Sequence, residues 1–322
     1  MDIQNLYENY RKSGKVSTDT RQITSGSIFF ALKGEKFNAN AFAGEALAKG
    51  ASYAVIDEAQ YAADNRYLVV ADVLGTLQEL ARYHRQQLFV PVIGLTGSNG
   101  KTTSKELLHA VLTKKFKTFA TKGNLNNHIG VPLTLLNIND KHEIAVIEMG
   151  ASARGEIMDL CKIARPTHGL ITSIGKAHLE GFGSVENIIK TKTELYEYLR
   201  DENGLFFYNL AVKEIHDVLK NKNFERAEKF DNENFGGKNI DSIESSTDKM
   251  FIQLKIKQND GVSKSFSTSV YGQYNFNNIV NACKLADYFD VGTEKIIKAL
   301  REFIPSNNRS QLIEWKNNTV TH

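Results

Sequence analysis

Cysteine is scarce in this chain: two residues, Cys161 and Cys283, among 322. Neither lies in a Cys-x-x-Cys pair, and two cysteines make no disulfide framework. They read as buried thiols in a reducing compartment. Long apolar runs are missing too. None approaches the ~20 residues that cross a bilayer, so no membrane insertion is expected. The opening Met1-Asp2-Ile3-Gln4-Asn5 has neither the basic nor the apolar region of a secretion signal. The expected location is the cytoplasm. An excess of one charge is also lacking: 40 Lys and Arg against 37 Asp and Glu leave a net +3. Nucleic-acid binders need a concentrated basic face, so no nucleic-acid partner is expected. Anionic small molecules remain open, because local clustering of charge matters more than the sum. No internal repeat or low-complexity segment occurs.

What is present is an ordinary soluble composition, 41% apolar and 24% charged, on a chain long enough for two domains. Residues 1–88 alternate short strands and helices. Ser27 to Leu32, Ala51 to Ile56 and Tyr67 to Val70 read as strands. Ala41 to Lys49 reads as a helix stopped by Gly50. Val73 to Gln87 reads as a helix with Leu74, Leu77, Leu80 and Ala81 on one face. A second domain is expected over residues 89–310. Its apolar strands Val92 to Thr96, Ile144 to Ile147, Gly169 to Thr172 and Leu205 to Tyr208 alternate with helices. The helices are read at Lys101 to Thr113, Gly155 to Lys162, Val185 to Leu199, Asn275 to Tyr288 and Thr293 to Phe303. That alternation predicts an α/β fold, a small N-terminal α/β domain followed by a larger P-loop-type parallel-sheet domain with helices on both faces. Residues 221–270 depart from it, with alternating strands at Met250 to Ile256 and Ser265 to Val270.

The strongest chemical signal is Thr96-Gly97-Ser98-Asn99-Gly100-Lys101-Thr102-Thr103, between a strand and a helix. Phosphates need many N–H donors and positive charge at short range. Glycines let the backbone turn its amides inward, and the following helix aims its N-terminal dipole at the same point. Lys101 would reach the β- and γ-phosphates, and the Thr102 hydroxyl would ligate Mg²⁺. The strict G-x4-G-K-[ST] pattern is not met, because Leu stands at position 95 and Gly94 is one residue too far from Gly100.

This shortened loop is the form found in the Mur ligases and relatives such as folylpolyglutamate synthase, and the chain resembles that family over almost its whole length. The resemblance implies ATP, two Mg²⁺ and an acyl-phosphate route to an amide. Lys122 to Pro132 resembles the family's loop along the substrate, with Asn124, Asn126 and Asn127 as candidates; an Asn-rich turn capping the next helix is the plainer reading. Glu148 ends a strand in Glu148-Met149-Gly150-Ala151-Ser152. A strand-end carboxylate lies where ligands bind in such sheets and suits Mg²⁺. That segment, followed by Arg154-Gly155-Glu156-Ile157, is similar to the branch that adds D-Ala-D-Ala, and Ser152 is a substrate candidate. His178 matches the family's ligand to the second Mg²⁺. Lys192 matches a lysine that the family carbamylates with CO₂ into an anionic oxygen ligand; Lys190 competes with it, and the Lys-x-Glu match selects Lys192. Gly272 to Asn278 resembles a nucleotide-binding segment in which Asn275 and Asn278 would read adenine, with Tyr274 in place of a histidine. Arg309 matches an arginine near the ATP. In the first domain Asp19, Thr20 and Arg21, with Phe30 to Gly34, resemble uridine-nucleotide-binding segments; an ordinary polar turn is the alternative.

The resemblance therefore implies an ATP-dependent amide ligase, working as a monomer on UDP-MurNAc-tripeptide and D-Ala-D-Ala. Lys101, Glu148, His178 and Lys192 would be catalytic, and Thr102, Glu148, His178 and the Lys192 carbamate would hold metal. The family carries a third domain, of which residues 311–322 would be the start, so this chain alone is expected to bind nucleotide weakly and not to ligate. A tripeptide-forming branch and a non-catalytic nucleotide-binding protein are the competing readings.

Overall fold

The computed structural model of the chain describes residues 2–175, 179–219, 225–246, 251–305, 312–315 and 318–321. It divides into two compact units. One comprises Met1–Phe89, Leu125–Asp140 and Lys162–Arg165; the other comprises Val90–Asn124, Lys141–Cys161 and Pro166–His322.

In the first unit four parallel strands run in the order Val16–Ser17, Ile28–Phe30, Tyr53–Ile56, Tyr67–Val69. Phe29, Ala54 and Ile56 pack with Ala43, Ala46 and Leu47 from the helix Ala43–Ala48. An opening helix, Ile3–Ser13, went unread in the sequence. Asp2 caps it, and Gly14, at φ 65, ends it. Left-handed backbone at that position suits glycine, which carries no Cβ. The helix Val73–Gln86 starts at Asp72, whose side chain accepts from Leu74 N, and buries Leu77, Leu80 and Ala81. Residues 125–140 complete this unit: the Tyr10 hydroxyl donates to the Leu136 carbonyl, and His84 Nε2 donates to the Ile138 carbonyl at 2.8 Å.

The second unit is built on six parallel strands in the order Ala227–Phe230, Leu205–Asn209, His168–Ile171, Val92–Thr96, Ile144–Glu148, Thr118–Ala120. The central Val92–Thr96 strand is buried throughout, as a strand covered on both faces must be. Glycines in neighbouring strands let a helix approach closely. A Cβ on Gly169 would strike Leu199, and one on Gly94 would sit 3.2 Å from Leu195 and 2.8 Å from Met149. Both leucines belong to the helix Val185–Asp201. On the other face, Leu107, Leu108, Val111 and Leu112 share a core with Ile279, Cys283, Ile296 and Leu300. The alternating region is a three-stranded antiparallel sheet, Ile240–Ser246, Phe251–Gln258 and Ser263–Tyr271, with Ile243, Leu254 and Phe266 turned into that core. Its first strand was missed in the sequence. Cys161 and Cys283 are buried free thiols.

Chain order fixes where a ligand can sit. Val92–Thr96 is flanked by Ile144–Glu148 on one side and His168–Ile171 on the other. The next strand in sequence, Thr118–Ala120, lies beyond Ile144–Glu148 at the edge. The chain reverses direction across the sheet there, and a crevice opens at the carboxyl ends of the strands around such a reversal.

Candidate active site

Three strand ends meet at that crevice, with Leu95 beside Glu148 and Thr96 beside Ile171. The loop from Gly97 to Gly100 joins the buried central strand to the helix Lys101–Leu112. Gly97 (φ 150) and Gly100 (φ 75) both hold backbone conformations that side chains disfavour. Space forbids side chains as well. A Cβ on Gly97 would collide with Thr172, and one on Gly100 would lie 2.5 Å from Asn278 Oδ1.

The loop is laced to the segment after His168–Ile171. Ser98 N donates to Ser173 O at 2.9 Å, Asn99 N to Ser173 Oγ at 2.9 Å, and Thr172 Oγ1 to Asn99 O at 2.6 Å. Ser98 Oγ donates to Gly175 O at 3.1 Å. Lys101 Nζ turns back to the Gly97 and Ser98 carbonyls at 2.7 and 3.1 Å. A cation, glycines and the positive end of a twelve-residue helix thus converge on one point, the arrangement that binds phosphate.

Beside the loop stands Glu148, 1% exposed. Thr102 Oγ1 donates to its Oε1 at 3.3 Å. Its backbone N–H donates to Thr121 Oγ1 at 3.0 Å. Lys192, on the helix Val185–Asp201, is 3% exposed, with Nζ 3.5 Å from the Ala151 carbonyl and 5.4 Å from the Phe182 ring centre. Burial first, then the nearby Lys101 cation, pushes its ammonium down to about 8, against the pull of Glu156 and Glu194. Those two carboxylates organise the turn after Glu148. Glu156 accepts from Ser152 N at 2.6 Å and Ala153 N at 3.1 Å. Glu194 accepts from Gly155 N at 2.8 Å and Met158 N at 2.9 Å, and burial raises its carboxyl.

Lys101, Thr102, Glu148 and Lys192 are therefore gathered at one end of the sheet. His178 and Arg309 lie outside the described residues. Among the described residues no group of three or more His, Cys, Asp or Glu could hold a metal; the oxygens at the loop come from Thr102 and Glu148. Asn275 and Asn278 face inward: Ser104 Oγ donates to Asn278 Oδ1 at 2.9 Å, Asn278 Nδ2 to Asn275 Oδ1 at 2.8 Å, and Asn275 Nδ2 to Tyr271 O at 2.8 Å. These amides brace the phosphate-loop helix and fill the space beside Gly100.

Of the loop asparagines, Asn124 belongs to the second unit and Asn126 and Asn127 to the first. Asn127 Oδ1 accepts from Ile129 N at 3.1 Å and Gly130 N at 2.8 Å, a turn leading into the short helix Gly130–Leu135. In the first unit Asp19 caps a short helical turn, Thr20–Gln22, and is gripped by Arg21 Nε and Nη2 at 2.9 and 2.8 Å. That pairing holds the Asp19 carboxyl down at about 2. The sequence reading missed Thr172 and Ser173, and used Glu194 only as the marker that selects Lys192. The signal for the first two was position, polar residues just past a strand end.

Two family models match the chain. The Mur ligase middle domain covers residues 95–286, and the Mur ligase family catalytic domain covers residues 14–85. The chain belongs to the Mur ligase family. Within it, the chain is similar to proteins called MurF. UDP-N-acetylmuramoyl-tripeptide–D-alanyl-D-alanine ligase from Bacillus subtilis is 33% identical over 301 residues, covering 93% of this chain and 64% of that protein. A crystal structure of MurF from Acinetobacter baumannii superposes with a TM-score of 0.79 at 32% identity, covering 95% of this chain and 66% of that one. MurF from Thermotoga maritima, solved in complex with ADP, gives 0.79 at 28% identity, covering 94% and 69%. The chain thus spans about two thirds of the length of these relatives. No helix among the described residues is long and apolar enough to cross a membrane.

Proposed function

We propose that this chain carries the nucleotide-handling machinery of a cytoplasmic ligase that joins D-Ala-D-Ala to UDP-MurNAc-tripeptide at the expense of ATP. The observation that carries this reading is the convergence of Lys101, Thr102, Glu148 and Lys192 on the glycine loop at the sheet's reversal point. The Bacillus subtilis relative, named for that reaction, supports the choice of substrates.

The chemical difficulty is charge. A carboxylate must approach a polyphosphate, and both are anionic. The Lys101 ammonium, now resting on its own loop's carbonyls, would move to the phosphates and offset their repulsion. The first-turn amides of the helix add donors that need no reorganisation. Hard oxygens suit Mg²⁺, and Thr102 Oγ1 with Glu148 Oε1 supplies two of them beside the loop. Bound there, two Mg²⁺ would neutralise charge on the transferring phosphoryl group. His178 and the carbamate of Lys192 are the further ligands in this reading. A lysine held near 8 has an appreciable neutral fraction at physiological pH. The neutral Nζ forms a bond to the carbon of CO₂ and releases one proton, giving the anionic carbamate. Asp19, Thr20 and Arg21 are assigned to the uridine end of the acceptor, and Asn124, Asn126, Asn127 and Ser152 to its peptide end. Arg309 is assigned to ATP. Binding of the distant uridine end would position the reacting carboxylate.

The test is binding by the chain itself, with ADP release and amide formation followed in parallel. UDP-MurNAc-tripeptide should bind more tightly than UDP-MurNAc-dipeptide, and any product should incorporate D-Ala-D-Ala rather than a single amino acid. Preference for the dipeptide nucleotide would move the chain to the tripeptide-forming branch.

A further inference from the structure

The helix after the glycine loop carries a second buried lysine. Lys105 is 3% exposed and one helical turn beyond Lys101. Residues four apart share a helix face, yet the two ammonium groups have different neighbours. Lys101 Nζ lies on the loop carbonyls. Lys105 Nζ lies 3.6 Å from Glu148 Oε2 and donates to the Gly123 carbonyl at 3.3 Å. The Glu148 carboxylate is thus divided: Oε1 faces Thr102, and Oε2 faces Lys105.

We propose that Lys105 is a positioning residue, which fixes the Glu148 carboxylate for the metal and ties it to the loop at Thr121–Gly123. The proposal rests on the reading of Glu148 as a Mg²⁺ ligand. Its first support is orientation. The buried carboxylate has a hydroxyl at Oε1, while Oε2 makes no hydrogen bond among the described residues and has the Lys105 ammonium 3.6 Å away, which orients it beside the phosphate loop. Its second is the space around the contact. A cavity of about 480 Å³, lined by Lys105, His109, Phe119, Thr121, Lys122 and Phe303 among others, lies on this side of the 121–123 loop. Beside that cavity, the Lys105–Gly123 bond and the Glu148 N–H to Thr121 Oγ1 bond tie the 121–123 loop to the site. Metal capture at Glu148 and the placing of the neighbouring loop are linked through one ammonium.

The test uses the whole chain and AMPPNP, a non-hydrolysable ATP analogue, titrated in EDTA and then with Mg²⁺. Lys105→Met keeps length and removes charge. AMPPNP affinity in EDTA should be unchanged, because Lys101 and the loop are untouched. The apparent Mg²⁺ affinity in saturating AMPPNP should fall roughly 10- to 100-fold, the usual cost of losing a group that orients a metal ligand. Lys105→Arg should recover most of it. Were Lys105 only a structural counter-ion, its removal would relieve Glu148 of a competing cation. Mg²⁺ would then bind as well or better, and that result overturns the proposal. Should Lys105→Met fail to fold, hydrogen exchange on the unmutated chain decides: amides of residues 121–124 should slow when Mg²⁺ joins bound AMPPNP, and no change contradicts the link. If the unmutated chain shows no Mg²⁺-dependent AMPPNP binding, the parent reading of the site has failed instead.

Discussion

At the scale of single residues, the site depends on side chains held in unusual environments. Lys192 is the sharpest case, with burial and Lys101 bringing its ammonium down to about 8. Carbamate formation needs the neutral amine, so it should increase as pH rises through about 8 and retreat below it. Carbon-13 NMR with labelled bicarbonate should show a carbamate signal in the unmutated chain that is lost in Lys192→Ala. A signal that persists in that variant would put the modification on another lysine. Part of this was legible in the sequence. Lys101 and Thr102 follow from the glycine loop and its strand–helix context, and Glu148 from a strand end. The burial of Lys192 was not, because a helical lysine among Ile189, Thr191 and Thr193 reads as a surface charge until the helix is docked on the sheet. The inward turn of Asn275 and Asn278 was equally hidden, since it depends on Ser104, 174 positions before Asn278.

At the scale of elements, close packing of the Val185–Asp201 helix on the sheet places Lys192 at the crevice. That approach is allowed by glycine. Gly169→Ala would drive a methyl into Leu199, and Gly94→Ala would crowd Met149 and Leu195. Each should lower stability by about 1–3 kcal/mol, the range for an overpacked core. Gly169→Ala combined with Leu199→Ala should lose less than the two single changes added together. Urea denaturation of the set checks this, and strict additivity would show that Leu199 is not what the new methyl meets. In the sequence Gly94 invited comparison with a phosphate-loop glycine; its contacts make it a packing residue. Apolar strands and helix stops gave most elements of both sheets. The helix Ile3–Ser13 and the strands Val16–Ser17, Thr118–Ala120, Ala227–Phe230 and Ile240–Ser246 escaped, being short or poor in apolar residues.

At the scale of the whole chain, each unit holds a histidine whose charged form is disfavoured, buried His84 and half-buried His168. His84, in the first unit, is lowered by burial. His168, in the second, sits among Phe207, Tyr288 and Phe289, and burial then Arg226 bring it from 6.5 down to about 4. A proton added below the ordinary value binds the unfolded chain more readily than the folded one. The stability from neutral His168 is therefore whole above 6.5 and is lost as pH falls towards 4. Tm should fall across that window, and His168→Phe should flatten the fall. An equally steep fall in the variant would assign the acid sensitivity elsewhere.

In the proposed function the loop around Lys101 cradles the phosphates of ATP, with metal held by Thr102 and Glu148. Diffraction from crystals grown with AMPPNP and Mn²⁺ tests it most directly, because the anomalous signal locates the metal. The expected result is an ion bonded to Thr102 Oγ1 and Glu148, with the β- and γ-phosphates on the amides from Gly97 to Thr103. Nucleotide bound elsewhere, or manganese absent from Glu148 while the nucleotide is in place, would contradict it.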